Sequence, residues 1–185
     1  MQRRKTLSTI IGLTLVVMSC DVIKDTQADI RKTPVKQVSK LKQIILYKTK
    51  IVKLTDKERD CLARNVFYEA GNQSEVGKLA VAQVTLNRLE TGRWGAHVCD
   101  VVYSDSQFSW TKDRKKKWKK PEGELWEQSK VTVKQIQYGY RIKDLEGSLS
   151  YHAKYIPKPK WAKVQEPVKM IGEHIFYASV DTGRL

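Results

Sequence analysis

Glu69 is the residue of this chain whose position best suits proton-transfer chemistry. Before it, at helical spacing, come Cys61, Leu62, Asn65 and Val66. This spacing predicts that the Glu69 carboxylate lies on the core-facing side at the end of a helix. Apolar surroundings and the partial negative charge of a helix C-terminus both raise the pKa of a carboxylic acid. Glu69 is therefore a candidate general acid, and a boundary glutamate, either solvated or paired with Arg64 or Lys78, is the alternative.

Two aromatic stretches have the composition of saccharide subsites. The first consists of Gln107, Phe108, Ser109 and Trp110, and the second contains Tyr151, His152, Tyr155 and Trp161. Sugar rings have apolar faces and hydroxyl edges, so aromatic rings beside hydrogen-bonding groups suit them. Aromatic side chains of this kind also fill protein cores, and composition alone does not separate the two interpretations.

The histidines and cysteines indicate no metal site. His97, His152 and His174 lack the spacing of metal ligands, no Cys-x-x-Cys pair is present, and we expect no cofactor. Cys61 and Cys99 are a disulfide candidate, whose loop of about 38 residues would contribute roughly 3–4 kcal/mol to stability in an oxidising compartment. Two buried free thiols are the alternative.

Positive charge dominates the composition. The formal net charge is +15, and residues 114–120 are basic except for Trp118. Such a surface attracts polyanions, which include nucleic acid, anionic membrane surfaces and anionic wall polymers. The N-terminal sequence argues against nucleic acid, so we expect a solvated basic loop that touches wall polymers.

The N-terminus has the layout of a secretory signal. Residues 1–5 are basic, and Thr6 to Met18 form an uncharged, mostly apolar stretch. At about 13 residues this stretch is short of the roughly 20 that a membrane-spanning helix needs. The sequence before Cys20 resembles a loose lipoprotein box, which makes Cys20 a lipidation candidate; a plain cleaved signal and a weak signal-anchor are the alternatives. We expect an exported protein of the periplasm or cell envelope, with residues 1–20 as its signal.

The elements that must position these residues begin after a polar, lysine-rich stretch. Residues 21–54 show no clear period and are interpreted as a basic tether or peripheral segment. The domain then spans residues 55–185. Thr55 and Glu58 match a helix capping box, and Gly71 with Asn72 predicts a left-handed exit from that first helix.

Further patterns follow along the domain. They predict a second helix from Ser74 to Thr91 and Gly92, a short apolar element at Val98 to Tyr103, a helix from Leu125 to about Asp144, and a strand within Lys169 to Val180. The fold class expected is α+β, a helix-dominated single domain with a small β element.

Four stretches together resemble the SleB-type cell-wall hydrolases, a family of spore-cortex-lytic and phage-associated peptidoglycan enzymes. The resemblance runs from about Glu58 to Tyr177. Its stretches are Leu62 to Ala70, Gly77 to Arg88, Cys99 to Trp110, and Tyr151 through Pro157 and Trp161 to Tyr177. Each is short, but the four occur in order and at family-like spacing.

The resemblance implies a lysozyme-like α+β domain that acts on the β-1,4 bond between N-acetylmuramic acid and N-acetylglucosamine. The family's catalytic glutamate falls on Glu69, and its cleft would include Gln107, Ser109, Tyr151 and His152. Peptidoglycan is then the partner, and we expect a monomer.

The number of carboxylates bears on the mechanism. Glycosidases usually use two catalytic carboxylates, whereas here only Glu69 has a suitable environment. Possible second acids, all in polar surroundings, are Asp100, Asp105 and Asp113. A lytic transglycosylase needs one acid, so we favour that reaction. A hydrolytic muramidase or glucosaminidase with a second carboxylate, and a non-enzymatic wall-binding lipoprotein, are the alternatives.

Overall fold

The structure, a computed structural model, describes residues 44–178. Within this range there are five α-helices and five short strands. In chain order they are β1 (Leu46–Lys48), α1 (Asp56–Ala70), α2 (Glu75–Thr91), α3 (Val98–Tyr103), α4 (Arg114–Trp118), α5 (Glu124–Gln137), β2 (Tyr140–Ile142), β3 (Ser150–Ala153), β4 (Pro167–Ile171) and β5 (His174–Tyr177). The predicted signal, Cys20 and the tether up to residue 43 lie outside the described residues. The predicted α+β, helix-dominated fold class is confirmed.

Helix α1 begins with the predicted capping box. The Thr55 hydroxyl accepts a hydrogen bond from the Glu58 N–H at 3.3 Å, and the Thr55 N–H donates to the Glu58 carboxylate at 2.9 Å. The stripe Leu62, Val66 and Ala70 is fully buried. The predicted left-handed exit is wrong, because Gly71 has φ −55° and continues the right-handed conformation. The chain therefore leaves α1 in the right-handed conformation, and Ser74 is the N-cap of α2 three residues later.

Helix α2 is the centre of the domain. Every residue from Gly77 to Arg88 is buried, and the helix contacts α1, α3, α5, β2 and β4. Its small residues Gly77, Ala80 and Ala82 allow these elements to approach closely. It ends at Gly92, which adopts the left-handed conformation with φ 67°.

Polar side chains of α2 hold the chain that leads into β3. Gln83 exchanges two hydrogen bonds with the backbone of Ile142, at 2.7 and 3.1 Å. Asn87 donates to the carbonyls of Leu145 and Ser148, both at 2.9 Å. Buried polar groups need such partners. The position of β3 is therefore set by α2.

The strands form two small antiparallel sheets. One pairs β1 with β2, and the other has the order β3-β5-β4, with Tyr151 opposite Phe176 and Ala153 opposite His174. The strand predicted within Lys169 to Val180 is present as β5, and it forms a hairpin with β4 that turns at Gly172 with φ +56°. The Glu173 N–H donates to the Gln73 side chain at 3.0 Å, so the hairpin turn is attached to the connection between α1 and α2.

Two further boundaries differ from the sequence-based expectation. The helix expected to reach about Asp144 ends at Gln137, because Gly139 has φ +91° and its carbonyl accepts from the Thr49 N–H at 2.9 Å. Residues 44–54, the described part of the segment interpreted as a basic tether or peripheral segment, also belong to the folded unit. Leu54 is buried in the core, and Ile44 and Val52 pack against it. Residues 44–54 therefore pack on the domain, ahead of the start expected at residue 55.

The Cys61–Cys99 disulfide joins α1 to α3, with the two Cα atoms 5.3 Å apart. The disulfide prediction is confirmed, and the alternative of two free thiols is wrong. In residues 44–178 no helix has the length and apolar character required to cross a membrane.

Candidate active site

Glu69 lies in the last turn of α1, where the helix faces the sheet that contains β3. Its carboxylate is half-buried, and its Oε2 atom accepts a hydrogen bond from the Tyr151 hydroxyl at 3.1 Å. The pairing of an α1 residue with a β3 residue follows from the fold, because α2 fixes the position of both elements. One carboxylate oxygen is thus held, and Oε1 has no hydrogen bond from the described residues.

Burial raises the pKa of Glu69 above its usual value. The hydrogen bond from Tyr151 and the positive charges of Arg88 and Lys116 oppose this rise, without cancelling it. The carboxyl group can therefore hold a proton above the usual range for a glutamate, while the same three groups stabilise the anion left when the proton departs. These are the properties of a group that acts first as an acid and then as a base.

Tyr151 is held as a hydrogen-bond donor. Its ring packs against His174 and Phe176, with centroids 5.1 and 5.4 Å away. Burial, followed by the nearby Glu69 charge, raises the pKa of its phenol well above 10. The hydroxyl accordingly keeps its proton and directs it at Glu69.

Arg88 of α2 lies beneath the cleft. Its Nε atom donates to the Leu149 carbonyl at 2.8 Å, and its guanidinium group lies over the rings of Trp94 and Phe108, at 5.4 and 5.0 Å from their centroids. The Nη1 atom is buried and has no hydrogen-bond partner among residues 44–178. Burial lowers the pKa of Arg88, and electrostatic interactions with Tyr151 and Glu69 partly offset this effect. A fixed cation of this kind stabilises negative charge at Glu69 in a poorly solvated site.

Glu69 opens into a cleft with two adjoining lobes. The first has a volume of ≈ 550 Å³ and includes Glu69, and the second has ≈ 590 Å³ and includes Arg93 and Trp94. The residues common to both lobes are Arg88, Ser106, Gln107, Tyr151 and Trp161. A continuous groove with an acid at one point along it suits a polymer better than a small molecule.

Most of the predicted subsite residues line this cleft. Gln107, Ser109, Tyr151, His152, Tyr155 and Trp161 all border the lobe that contains Glu69. Tyr155 and Trp161 are exposed there, and the Trp161 ring meets His152 and Tyr177 edge-on.

Phe108 and Trp110 do not border the cleft, and their prediction as substrate-contacting residues is wrong. Both belong to the core, with exposed fractions of 2 % and 4 %. The Trp110 indole N–H donates to Asn65 Oδ1 at 3.1 Å, and its ring stacks on Tyr68. The indole therefore has its polar partner inside the protein, where it supports the helix that carries Glu69.

Several residues that line the cleft were not predicted from the sequence. They are Tyr68, Arg88, Arg93, Trp94 and Lys112. Tyr68 is adjacent to Glu69 in the sequence and could have been noticed for that reason. Arg88 could not, because nothing in an amphipathic helical pattern indicates that an arginine is buried under a groove.

Glu69 is the one carboxylate that lines either lobe among the described residues. Asp100 accepts a hydrogen bond from the His97 N–H at 3.0 Å, and Asp113 accepts from the backbone of Lys115 at 2.8 Å, so both act as helix caps. Asp105 is exposed. No second acid therefore faces Glu69 across the groove in the part of the chain that the structure describes.

His152 and His174 border the lobe that contains Glu69, whereas His97 lies at the surface. His97 lies 3.5 Å from Glu58, whereas His152 and His174 are buried, and burial lowers the pKa of both. Across residues 44–178, no group of three or more His, Cys, Asp or Glu side chains is arranged to hold a metal ion.

Comparison with known proteins bears on this site. The profile of the cell wall hydrolase family matches residues 72–177. None of the curated proteins matches the chain. Glu69 lies just before the matched range, so its role depends on the geometry described above.

Two solved structures resemble the domain. One is the catalytic domain of the Bacillus cereus SleB protein, with 23% identity over 71% of this chain and 98% of that chain, and a TM-score of 0.59. The other is the catalytic domain of the germination-specific lytic transglycosylase SleB from Bacillus anthracis, with 23% identity over 66% of this chain and 95% of that chain, and a TM-score of 0.54. The expected fold is confirmed by these similarities, and the chain belongs to the cell wall hydrolase family.

Proposed function

We propose that this enzyme cleaves the glycan strand of peptidoglycan at the β-1,4 bond between N-acetylmuramic acid and N-acetylglucosamine, as a lytic transglycosylase. Membership of the cell wall hydrolase family supports action on the wall. The observation that carries the choice of reaction is that, among residues 44–178, Glu69 is the one carboxylate that lines the cleft, where Tyr151 holds it. Glu69 would therefore both donate a proton to the leaving group and accept one from the attacking hydroxyl.

The first step is protonation of the leaving group. Glu69 donates its proton to the glycosidic oxygen as the bond to muramic C1 breaks, and the departing N-acetylglucosamine gains a hydroxyl. Because Tyr151 occupies Oε2, the proton is carried on Oε1. The carboxylate that results is stabilised by the Tyr151 hydrogen bond and by the charges of Arg88 and Lys116.

The second step closes a ring. The muramic 6-hydroxyl attacks C1 and gives its proton to the Glu69 carboxylate, which forms a 1,6-anhydro product and regenerates the acid. No water is consumed. An intramolecular hydroxyl gains from its high effective concentration, so it can compete with solvent without a second carboxylate to activate water.

We also propose that the protein is exported. The residues expected to form the signal lie outside the described range, and acylation of Cys20 stays a prediction. The Cys61–Cys99 disulfide supports export, because such bonds persist in oxidising compartments.

Product analysis tests the reaction. Purified sacculi are digested with the wild-type enzyme, Glu69→Gln and Glu122→Gln, an exposed carboxylate on the connection to α5 that serves as a matched control. Mass spectrometry should find 1,6-anhydro-muramic ends with the wild type and the control, and none with Glu69→Gln. Reducing ends without anhydro products would show a hydrolase instead. Undiminished lysis by Glu69→Gln would overturn the assignment of Glu69.

A further inference from the structure

Residues 112–120, which we call the basic strip, concentrate positive charge beside the cleft. They comprise one arginine, six lysines, Asp113 and Trp118. Asp113 is used as the N-cap of α4, where it accepts hydrogen bonds from the N–H groups of Lys115 and Lys116. Its carboxylate is therefore committed to the backbone, and the proposed active site uses none of the exposed strip residues beyond Lys112 and Lys116.

The backbone of the strip is fastened to α1. The Tyr68 hydroxyl donates to the Lys116 carbonyl at 3.0 Å, and the Arg64 guanidinium donates to the Lys119 carbonyl at 3.1 Å. Tyr68 is itself stacked on the buried Trp110, with centroids 4.6 Å apart. The strip is thus a fixed platform, because its carbonyls are bound from below while its side chains point away from the core.

The charge of the strip is not neutralised within the described part of the chain. None of its basic side chains forms an ion pair with a carboxylate there, and all except Lys117 are exposed. Lys117 lies between the rings of Tyr103 and Trp118, 5.6 Å from each centroid. Like charges this close repel one another, and a bound polyanion would relieve that repulsion.

One apolar side chain accompanies these charges. Trp118 is 74% exposed, although tryptophan side chains are usually largely buried. Insertion into a bilayer needs a larger apolar face than one ring provides, and its strength scales with that area. A single ring among cations better suits a polymer that offers anionic groups and stackable units in alternation.

The strip is continuous with the cleft. Lys112 lines the lobe that contains Glu69, and the strip is attached to Tyr68, the residue before Glu69. A chain that is covalently joined to the glycan in the cleft would therefore reach the strip without a change in the fold.

We propose that the basic strip binds a phosphodiester-linked polyanion attached to the glycan strands of the cell wall, and so holds the substrate beside the cleft. The proposal rests on the proposed function for the identity of the glycan. Its phosphate groups would contact the exposed strip cations, and one of its sugar or alditol units would pack on Trp118. Nucleic acid and anionic membranes share the charge of this ligand but have no connection to the contents of the cleft.

Binding to cell walls tests the proposal. The probe is purified Gram-positive walls, used intact or after hydrofluoric acid extraction of their phosphodiester-linked polymers. The full-length protein carries Glu69→Gln so that walls are not digested. The strip variant adds Arg114→Glu, Lys115→Glu and Lys119→Glu, and the matched control adds Lys48→Glu, Lys50→Glu and Lys53→Glu, which are exposed lysines near β1. Thermal unfolding of both variants serves as the control for correct folding.

The strip variant should bind intact walls about tenfold or more weakly than the control, and raising salt from about 50 to about 200 mM should weaken the control similarly, because each phosphate contact contributes to the salt dependence. On extracted walls the two variants should bind alike. Equal binding of both variants to intact walls would overturn the proposal. So would a strip-dependent binding of phosphatidylglycerol vesicles combined with no difference between intact and extracted walls.

The test of wall binding can be interpreted independently of the test of the cleavage reaction. In the background that retains Glu69, the strip variant should release the same products from extracted walls as the control does. Loss of wall cleavage by every form of the protein would refute the proposed function, whereas the binding comparison would still decide the role of the strip.

Discussion

The Tyr151 hydroxyl and Glu69 Oε2 are joined by a hydrogen bond of 3.1 Å across 82 positions of sequence. The contact links the end of α1 to β3, and it divides the two oxygens of the carboxylate between two tasks. Oε2 accepts from the protein, which leaves Oε1 to exchange a proton with the substrate. The relationship explains how one acid can serve both halves of the reaction.

Removal of this hydrogen bond should slow the enzyme and alter its pH dependence. Tyr151→Phe keeps the ring packing but removes the donor, and a hydrogen bond to a charged group is worth about 1.5–3 kcal/mol, so we expect a rate about 10- to 100-fold lower. Because the Tyr151 hydrogen bond lowers the pKa of Glu69, its loss should move the Glu69 limb of the pH–rate profile to higher pH. Tyr138→Phe, at an exposed position after α5, is the control. An unshifted profile would contradict the role given to Tyr151.

The raised pKa of Glu69 has a consequence for stability. Below the usual pKa of 4.5 the carboxyl is protonated in both the folded and the unfolded chain. As pH rises, the unfolded chain releases its proton first, so the folded state loses stability until pH passes the folded pKa. Glu69→Gln removes this loss, and it should therefore become more stable relative to wild type between pH 4 and pH 8. Urea unfolding at both values measures the difference; a difference that does not change with pH would show that burial does not raise this pKa.

The disulfide should contribute substantially to stability. Changing both Cys61 and Cys99 to serine opens a loop with a sequence separation of 38, and the chain-entropy argument predicts a loss of about 3–4 kcal/mol in the free energy of unfolding. Wild type treated with a reductant should behave like the double variant in urea unfolding. If reduction left the midpoint unchanged, the disulfide would not stabilise the fold.

Substitution of a core tryptophan and of a cleft tryptophan should have different effects. Trp110→Phe leaves Asn65 Oδ1 without its donor, and we expect about 1–3 kcal/mol less stability with little change in KM. Trp161→Ala, at a cleft position that is 40% exposed, should raise KM and leave stability nearly unchanged. Thermal unfolding and sacculus turnover measure the two effects. A rise in KM for Trp110→Phe without loss of stability would restore it to the substrate site.

The sequence was sufficient to predict those structural features that depend on residues within one helix. The Thr55 capping box, the buried stripe of α1 and the end of α2 at Gly92 depend on neighbouring residues alone, and all three are as expected. The inward orientation of Glu69 follows from the adjoining positions Cys61 and Asn65, which are also buried. These features could be predicted because their causes lie within about two helical turns of sequence.

Features that depend on distant contacts could not be predicted in the same way. Strand β1 is stabilised by pairing with β2, and the segment before it has no period of its own. Phe108 and Trp110 have the residue types of a sugar-binding surface, and the internal position of Trp110 depends on partners from α1, the Asn65 acceptor and the Tyr68 ring. The role of Arg88 likewise depends on carbonyl and ring partners that the chain supplies elsewhere.

The anchoring of β3 by α2 has a consequence for how this enzyme could diversify. Gln83, Asn87 and Arg88 fix the backbone between Ile142 and Leu149. Residues 113–123 donate no hydrogen bond to Glu69 or Tyr151, and among them Lys116 acts on Glu69 through its charge alone. If the basic strip has the role proposed for it, substitutions there at positions other than Lys116 can change which walls the protein adheres to while the reacting pair stays in place. Wall adhesion and bond cleavage can then vary separately.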